Sequence, residues 1–128
     1  MRLLLDTHIF IGLSKATLAH AHPKLHQAVT LAETETFFSV ASIWEIAIKT
    51  RLAKLDAGLP PHKIAEFCHG LGMKVLPISA AHASAELAHE PETRDPFDRL
   101  LLAQCQVEGL LLATFDRALA SHPLSLPV

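Results

Sequence analysis

Short apolar runs alternate along this chain with longer segments of mixed polarity. The runs at 2–5, 36–40, 73–78 and 110–114 contain few charged residues. Continuous apolar runs, rather than alternating ones, are typical of strands that are buried on both faces of a parallel sheet. We therefore predict β-strands at these four places, and a fifth, short strand at 124–128.

Helical patterns fill the stretches between the predicted strands. In the clearest one, at 41–55, five apolar residues recur with the period of an α-helix, and we expect them to face the core. These residues are Ala41, Trp44, Ile48, Leu52 and Leu55. Further helices are predicted at 8–13, 23–33, 61–71, 80–89, 95–108 and 116–120. The helix at 95–108 has the clearest start, with Asp95 as its N-cap and Pro96 in its first turn.

Strands that alternate with helices imply a parallel sheet with helices on both faces. We therefore predict an α/β fold, a three-layer α/β/α domain whose central parallel sheet has four to five strands. The chain has 128 residues and no internal repeat or linker-like segment. This favours a single domain over 1–128.

The charge balance restricts the kinds of partner. The formal net charge is -2, whereas proteins that coat nucleic acid non-specifically are usually strongly basic. Any nucleic-acid contact should therefore come from a local patch or through a metal ion. Asp6 interrupts the apolar start, and no stretch approaches the ~20 apolar residues of a membrane span. Cys68 and Cys105 lack CxxC spacing, so we expect buried free thiols in a cytoplasmic protein.

Two acidic residues follow predicted strands. Asp6 ends the first strand, and Asp116 comes just after the fourth. Ligands of open α/β sheets bind beyond the carboxyl ends of the strands, so two acids at this edge indicate a functional site. The alternative for each acid taken alone is that it caps the helix that follows.

Two further acids lie on predicted helices. Glu45 borders the apolar stripe of 41–55, where a carboxylate loses hydration unless a partner or a metal compensates. The alternative, an ion pair with Lys49, would contribute only ~0.3–0.5 kcal/mol. Asp98 lies on a helix that is apolar nearly all round, so we expect it to face a polar cavity. Capping is its alternative, and this alternative is stronger for Asp95.

Four acids in one cleft would repel each other and could not all ionise near neutral pH without a cation. Ligands that are all oxygen suit Mg²⁺ or Mn²⁺. Such a site can activate water for the hydrolysis of a phosphodiester. The nine histidines form no HExxH pattern, and the chain has neither a Gly-rich phosphate loop nor a GxSxG motif. Zinc-protease, P-loop and serine-hydrolase chemistry are therefore disfavoured.

Four segments carry a family resemblance: Leu3–His8, Ser42–Lys49, Asp95–Leu101 and Ala113–Asp116. In this order they resemble the signature blocks of PIN-domain nucleases, and most closely those of the VapC-like toxins of bacterial toxin–antitoxin systems. The resemblance extends from Arg2 to about Pro127. It implies an endoribonuclease that uses Mg²⁺ or Mn²⁺. The acidic quartet implied by the resemblance is Asp6, Glu45, Asp98 and Asp116.

The resemblance also implies partners and supporting residues. Such toxins are inhibited by a cognate antitoxin whose tail fills the active-site groove, so a VapB-like antitoxin and a homodimer are expected. Thr7 and Thr114 match hydroxyl-bearing positions beside the metal site, and Asp95 matches a supporting or capping position. Gly12 and Phe115 depart from the family pattern, which often has Trp at the first position and a polar or small residue at the second.

Three basic residues of the segment 41–55 are candidate contacts to the RNA backbone, although a solvated helix face explains them equally well. They are Lys49, Arg51 and Lys54. Two other functions stay open. One is an inactive PIN-fold module that grips RNA or a protein partner, and the other is a metal-dependent phosphoesterase of small substrates. The site residues do not distinguish RNA from DNA.

Overall fold

The structure, a computed structural model, describes residues 1–127. At its centre is a parallel sheet of four strands in the order β3-β2-β1-β4. The strands are β1 (Arg2–Leu5), β2 (Glu35–Ser39), β3 (Lys74–Leu76) and β4 (Leu111–Ala113). The parallel sheet predicted from the continuous apolar runs is confirmed.

Helices connect the strands, and each strand is followed by a helix or by a short loop that leads into one. They are α1 (Thr7–Ser14), α2 (Leu18–Ala21), α3 (Pro23–Thr30), α4 (Val40–Arg51), α5 (Ile64–Gly70), α6 (Ala80–Ser84), α7 (Pro96–Glu108) and α8 (Arg117–Ala120). A 3-10 turn at Pro61–Lys63 leads into α5. Within residues 1–127, no helix is both long enough and apolar enough to cross a membrane.

The sheet divides the core into two parts. Leu3 and Leu5 of β1 belong to one buried cluster and Leu4 belongs to the other, because successive side chains of a strand point to opposite faces. The first cluster is completed by residues of α1, α3 and α5, and the second by residues of α7 and α8. Helices therefore cover both faces of the sheet, as predicted for a three-layer α/β/α fold.

The strand order also determines where a ligand can bind. The chain leaves β1 towards β2 on one side, while β4 pairs with the other side of β1. A crevice between strands whose connections diverge in this way is the usual ligand site of an open α/β sheet. Asp6 follows β1 and Thr114 follows β4, so both residues lie at this point.

The packed face of α4 differs from the predicted one. Trp44 is 60% exposed and Leu52 is 56% exposed, whereas Ser42, Glu45 and Ile46 are buried. Burial of Glu45 is compensated by two hydrogen bonds, described below, that a count of apolar residues does not register. The prediction that Trp44 and Leu52 face the core was therefore wrong.

Several element boundaries were also wrong. The helix predicted at 80–89 ends at Ser84, because Ala85 is extended and the segment 85–88 is tied to α7 instead. The amide of Ala88 donates to Gln106 Oε1 at 3.0 Å. Helix α2 was not predicted, and the strand expected at 124–128 is reduced to a bridge between Ser125 and Leu112. Residue 128 lies outside the described residues.

Both cysteines are free and buried, as predicted. Burial raises the pKa of Cys68 to about 11 and that of Cys105 to about 12. Both thiols are therefore neutral near pH 7, and they belong to the two halves of the core.

Candidate active site

Asp6 ends β1 at the crevice and is oriented by two hydrogen bonds. The Thr7 amide donates to Oδ1 at 2.7 Å, and the Thr114 hydroxyl donates to Oδ2 at 2.7 Å. Burial raises the pKa of Asp6, and the hydrogen bond from Thr114 opposes that rise. A carboxylate oxygen that accepts one hydrogen bond keeps a second lone pair, so the oriented Asp6 can still bind a cation.

Glu45 of α4 is linked to Asp6 through Thr7, which forms a hydrogen bond with each of them. The Thr7 hydroxyl donates to Glu45 Oε1 at 2.7 Å, and Lys49 Nζ donates to Oε2 at 2.8 Å. The hydrogen bond that Lys49 donates to Glu45 raises the pKa of Lys49. The ion pair considered as the alternative for Glu45 is therefore present, together with a hydrogen bond that links Glu45 to the residue next to Asp6.

Asp116 is linked to Asp6 through Thr114. The Asp116 amide donates to Thr114 Oγ1 at 3.0 Å, and the same hydroxyl donates to Asp6. The Asp116 carboxylate also caps α8, because its Oδ1 accepts from the Ala118 amide at 2.9 Å. Asp116 thus has the capping role that was its alternative, and it lies at the same strand edge as Asp6.

Asp95 and Asp98 lie at the start of α7. Asp95 is the N-cap, accepting from the Phe97 amide at 2.9 Å. Thr93 was not predicted as a site residue. Its hydroxyl oxygen lies 3.4 Å from Asp98 Oδ2 and accepts a hydrogen bond from the Asp95 amide at 3.2 Å. A hydroxyl two residues before an N-cap is the sequence signal that could have identified Thr93.

The electrostatics of Asp98 show that the acids are near one another. Burial, followed by the charges of Asp95, Asp6, Asp116 and Glu45, raises the pKa of Asp98 to about 7. Residues far apart in the chain therefore concentrate negative charge at one edge of the sheet. Such a concentration favours either a bound proton or a bound cation.

The donor chemistry of this cluster suits a divalent cation. Within residues 1–127, however, no three His, Cys, Asp or Glu side chains form a group that could hold a metal ion as they are placed. The protein donors described above already engage these carboxylates. Mg²⁺ usually keeps several waters and takes one or two carboxylates directly. The oxygen donors are the ligand type that this ion prefers, and Asp6, Asp98 and Asp116 are the acids that would hold it, directly or through water, with Glu45 beside them.

The three basic residues of 41–55 lie in different places. Lys49 is engaged with Glu45. Arg51 and Lys54 are exposed, and Arg51 lies about 9 Å beyond Glu45 along the helix axis, at the end of α4 away from the sheet edge. The structure therefore places one of the three basic residues at the acidic cluster.

Aromatic residues flank the acids of the cluster, and no role at the site was predicted for them. Trp44 packs edge-on against Phe97, with ring centroids 5.9 Å apart. Phe115 stacks on His22, with centroids 4.2 Å apart and an angle of 5° between the rings. Trp44, Phe97 and Phe115 each directly precede an acid of the cluster, which is the signal that could have drawn attention to them.

Asp98→Asn should stabilise the metal-free protein by about 1 kcal/mol, or roughly 3–6 °C, after allowance for the screening of a half-buried group. The raised pKa means that ionised Asp98 opposes folding. The gain should therefore be full above pH 7 and should shrink as the pH falls towards 4. Thermal melts of the variant and of the exposed control Asp56→Asn, with and without Mg²⁺, measure this effect. A variant less stable than wild type at pH 8 would contradict it.

Comparison with known proteins bears on the family of the chain. No curated protein sequence matches the chain significantly. A family model described as the PIN domain matches residues 3–123, which include the four acids of the cluster and every strand except the first residue of β1. Because the match covers far more than half of the sequence, the chain belongs to the PIN domain family.

Proposed function

We propose that this protein is an endoribonuclease that hydrolyses RNA phosphodiester bonds at the acidic cluster with Mg²⁺, for which Mn²⁺ can substitute. PIN domains are in general metal-dependent nucleases. The finer assignment to RNA and Mg²⁺ rests on the four signature segments and on the oxygen-only donor set. The observation that carries the proposal is the chain of hydrogen bonds through Thr7 and Thr114 that joins Glu45, Asp6 and Asp116 at one edge of the sheet.

In the proposed mechanism, hydrogen bonds fix the orientation of two carboxylates before the substrate binds. Thr114 and the Thr7 amide keep Asp6 in one orientation, and the Thr7 hydroxyl and Lys49 do the same for Glu45. Glu45 orients the attacking water through its remaining lone pairs. The cation, when bound, neutralises charge on the phosphate and makes water more acidic. Such preorganisation reduces the reorganisation needed during the reaction.

An assay of the wild-type protein tests the proposal. A mixed RNA pool should be cut in Mg²⁺ or Mn²⁺ and left intact with excess EDTA, while DNA of the same sequence reports the choice of sugar. A chromogenic phosphate ester tests the phosphoesterase alternative. Calorimetric Mg²⁺ binding without any cleavage of the RNA pool would contradict the ribonuclease and favour an inactive module.

A cellular role as a VapC-like toxin is the second part of the proposal. This role rests on the four signature segments. It implies a VapB-like antitoxin as partner, a homodimer and action in the cytoplasm. The exposed Trp44 beside Phe97 supports a protein partner, because large aromatic side chains are enriched in interfaces. Induced expression should arrest growth, and an Asp6→Asn chain expressed to the same level should not. Equal growth of the two cultures would contradict the toxin role.

A further inference from the structure

A cavity lies next to the acidic cluster on the side of β4. Its volume is about 450 Å³, and its lining includes Thr114, Phe115, His22 and Lys24. A smaller cavity of about 220 Å³ lies against the same two rings and is also lined by His8. Thr114 is the residue whose hydroxyl donates to Asp6. Thr114 therefore lies between the larger cavity and the site proposed to act on the RNA phosphate.

The two rings in this cavity have the geometry of a stacking surface. The rings of Phe115 and His22 are nearly parallel, with centroids 4.2 Å apart, and Phe115 is 40% exposed. Phe115 follows Thr114 directly and precedes Asp116, so its ring is held beside the cluster by the backbone of two site residues. A ring that is fixed by stacking and still open to solvent offers a flat apolar surface to a ligand.

We propose that this cavity binds one unpaired nucleobase of the RNA, stacked on the Phe115–His22 pair, while the adjoining phosphate lies at the acidic cluster. This inference rests on the proposed ribonuclease function and adds a base-binding position beside the acidic cluster. Unstacked bases of single-stranded RNA are commonly held on aromatic side chains. A cavity of a few hundred Å³ is large enough for a small planar ligand.

The charges around the cavity agree with this occupant. Lys24 lines the larger cavity and is exposed. His8 lines the smaller cavity, with its ring centroid 6.3 Å from that of Phe115. These two basic residues lie around the cavities, although the formal net charge of the whole chain is -2. A nucleotide carries both a flat base and a negative phosphate, and the cavity and its rim match both parts.

Replacement of Phe115 by residues with and without a ring tests the inference. Phe115→Leu should raise the KM for a single-stranded RNA oligonucleotide about 5- to 100-fold, because a base-stacking surface is lost. Phe115→Trp should keep a KM close to the wild-type value, since it retains a flat ring. Leu71→Ala, which removes another exposed apolar side chain at the opposite end of the sheet, is the control. Thermal melts should show that all three variants are folded.

Binding without cleavage separates this inference from the proposed function. In the Asp6→Asn background, an oligonucleotide containing 2-aminopurine should lose fluorescence on binding, and Phe115→Leu should abolish that change. An unchanged KM together with unchanged 2-aminopurine emission in Phe115→Leu would overturn the base site, and the nuclease would stand. A wild-type chain that cuts no RNA but quenches 2-aminopurine through Phe115 would reject the nuclease and support the base site.

Discussion

Asp6→Asn should lower the rate of metal-dependent RNA cleavage by at least about 100-fold, the loss typical of removing one preorganised electrostatic group from an active site. The amide has the shape of the carboxylate, and its oxygen can still accept from the Thr7 amide. It lacks the negative charge that attracts a cation. Because burial already opposes ionisation of Asp6, the neutral variant should fold at least as stably as wild type.

The measurement is single-turnover cleavage of a labelled RNA in Mg²⁺, with circular dichroism to check the fold. Asp56→Asn is the matched control, since Asp56 is exposed and lies in the loop after α4, where it accepts from the Gly58 amide. The control should cut RNA at the wild-type rate. Undiminished cleavage by a folded Asp6→Asn protein would remove Asp6 from the site.

Phe10→Ala should destabilise the protein by about 3–5 kcal/mol, the usual cost of emptying a buried aromatic site. Phe10 is fully buried in α1. Its ring stacks on Phe38 at 4.2 Å and meets Phe67 edge-on at 5.7 Å. The loss is large against the roughly 5–15 kcal/mol by which domains are stable. Because α1 also begins with Thr7, loosening of this helix should weaken the support of Asp6 and Glu45.

Urea unfolding followed by circular dichroism measures the loss. Leu71→Ala, at a site that is 54% exposed, should change the free energy of unfolding by less than about 0.5 kcal/mol. A loss below about 1 kcal/mol in Phe10→Ala would mean that the neighbouring rings close the space, and that α1 does not depend on this contact.

The parts of the fold that follow from local chemistry were predictable. Helix α7 begins and ends where the sequence indicates, because Asp95 accepts from the backbone at its start and Gly109 adopts a φ of 70° at its end. The face of α4 was not predictable in the same way. Trp44 is apolar but exposed. Glu45 is charged but buried, and one of its two partners, Thr7, comes from a distant part of the chain.

The candidate site also has parts that the sequence predicts and parts that it does not. Strand ends placed Asp6 and Asp116 at one edge, and hydrogen bonds through Thr114 join them there. The stacking of Phe115 on His22 depends on the path of the chain through α2, a helix of four residues with no side-chain cap. So short an element has almost no periodicity to recognise, and the cavity beside it was therefore invisible in the sequence.

The distance in sequence between Asp6 and Thr114, 108 positions, has a consequence for the order of events during synthesis. A ribosome releases β1 first and β4 long afterwards, since domains emerge from the N-terminal side. A nascent chain that ends before Leu111 contains Asp6 but neither the hydroxyl that orients it nor Asp116. The hydrogen-bonded arrangement that joins Asp6 to Asp116 can therefore form only after the C-terminal part of the chain has left the ribosome.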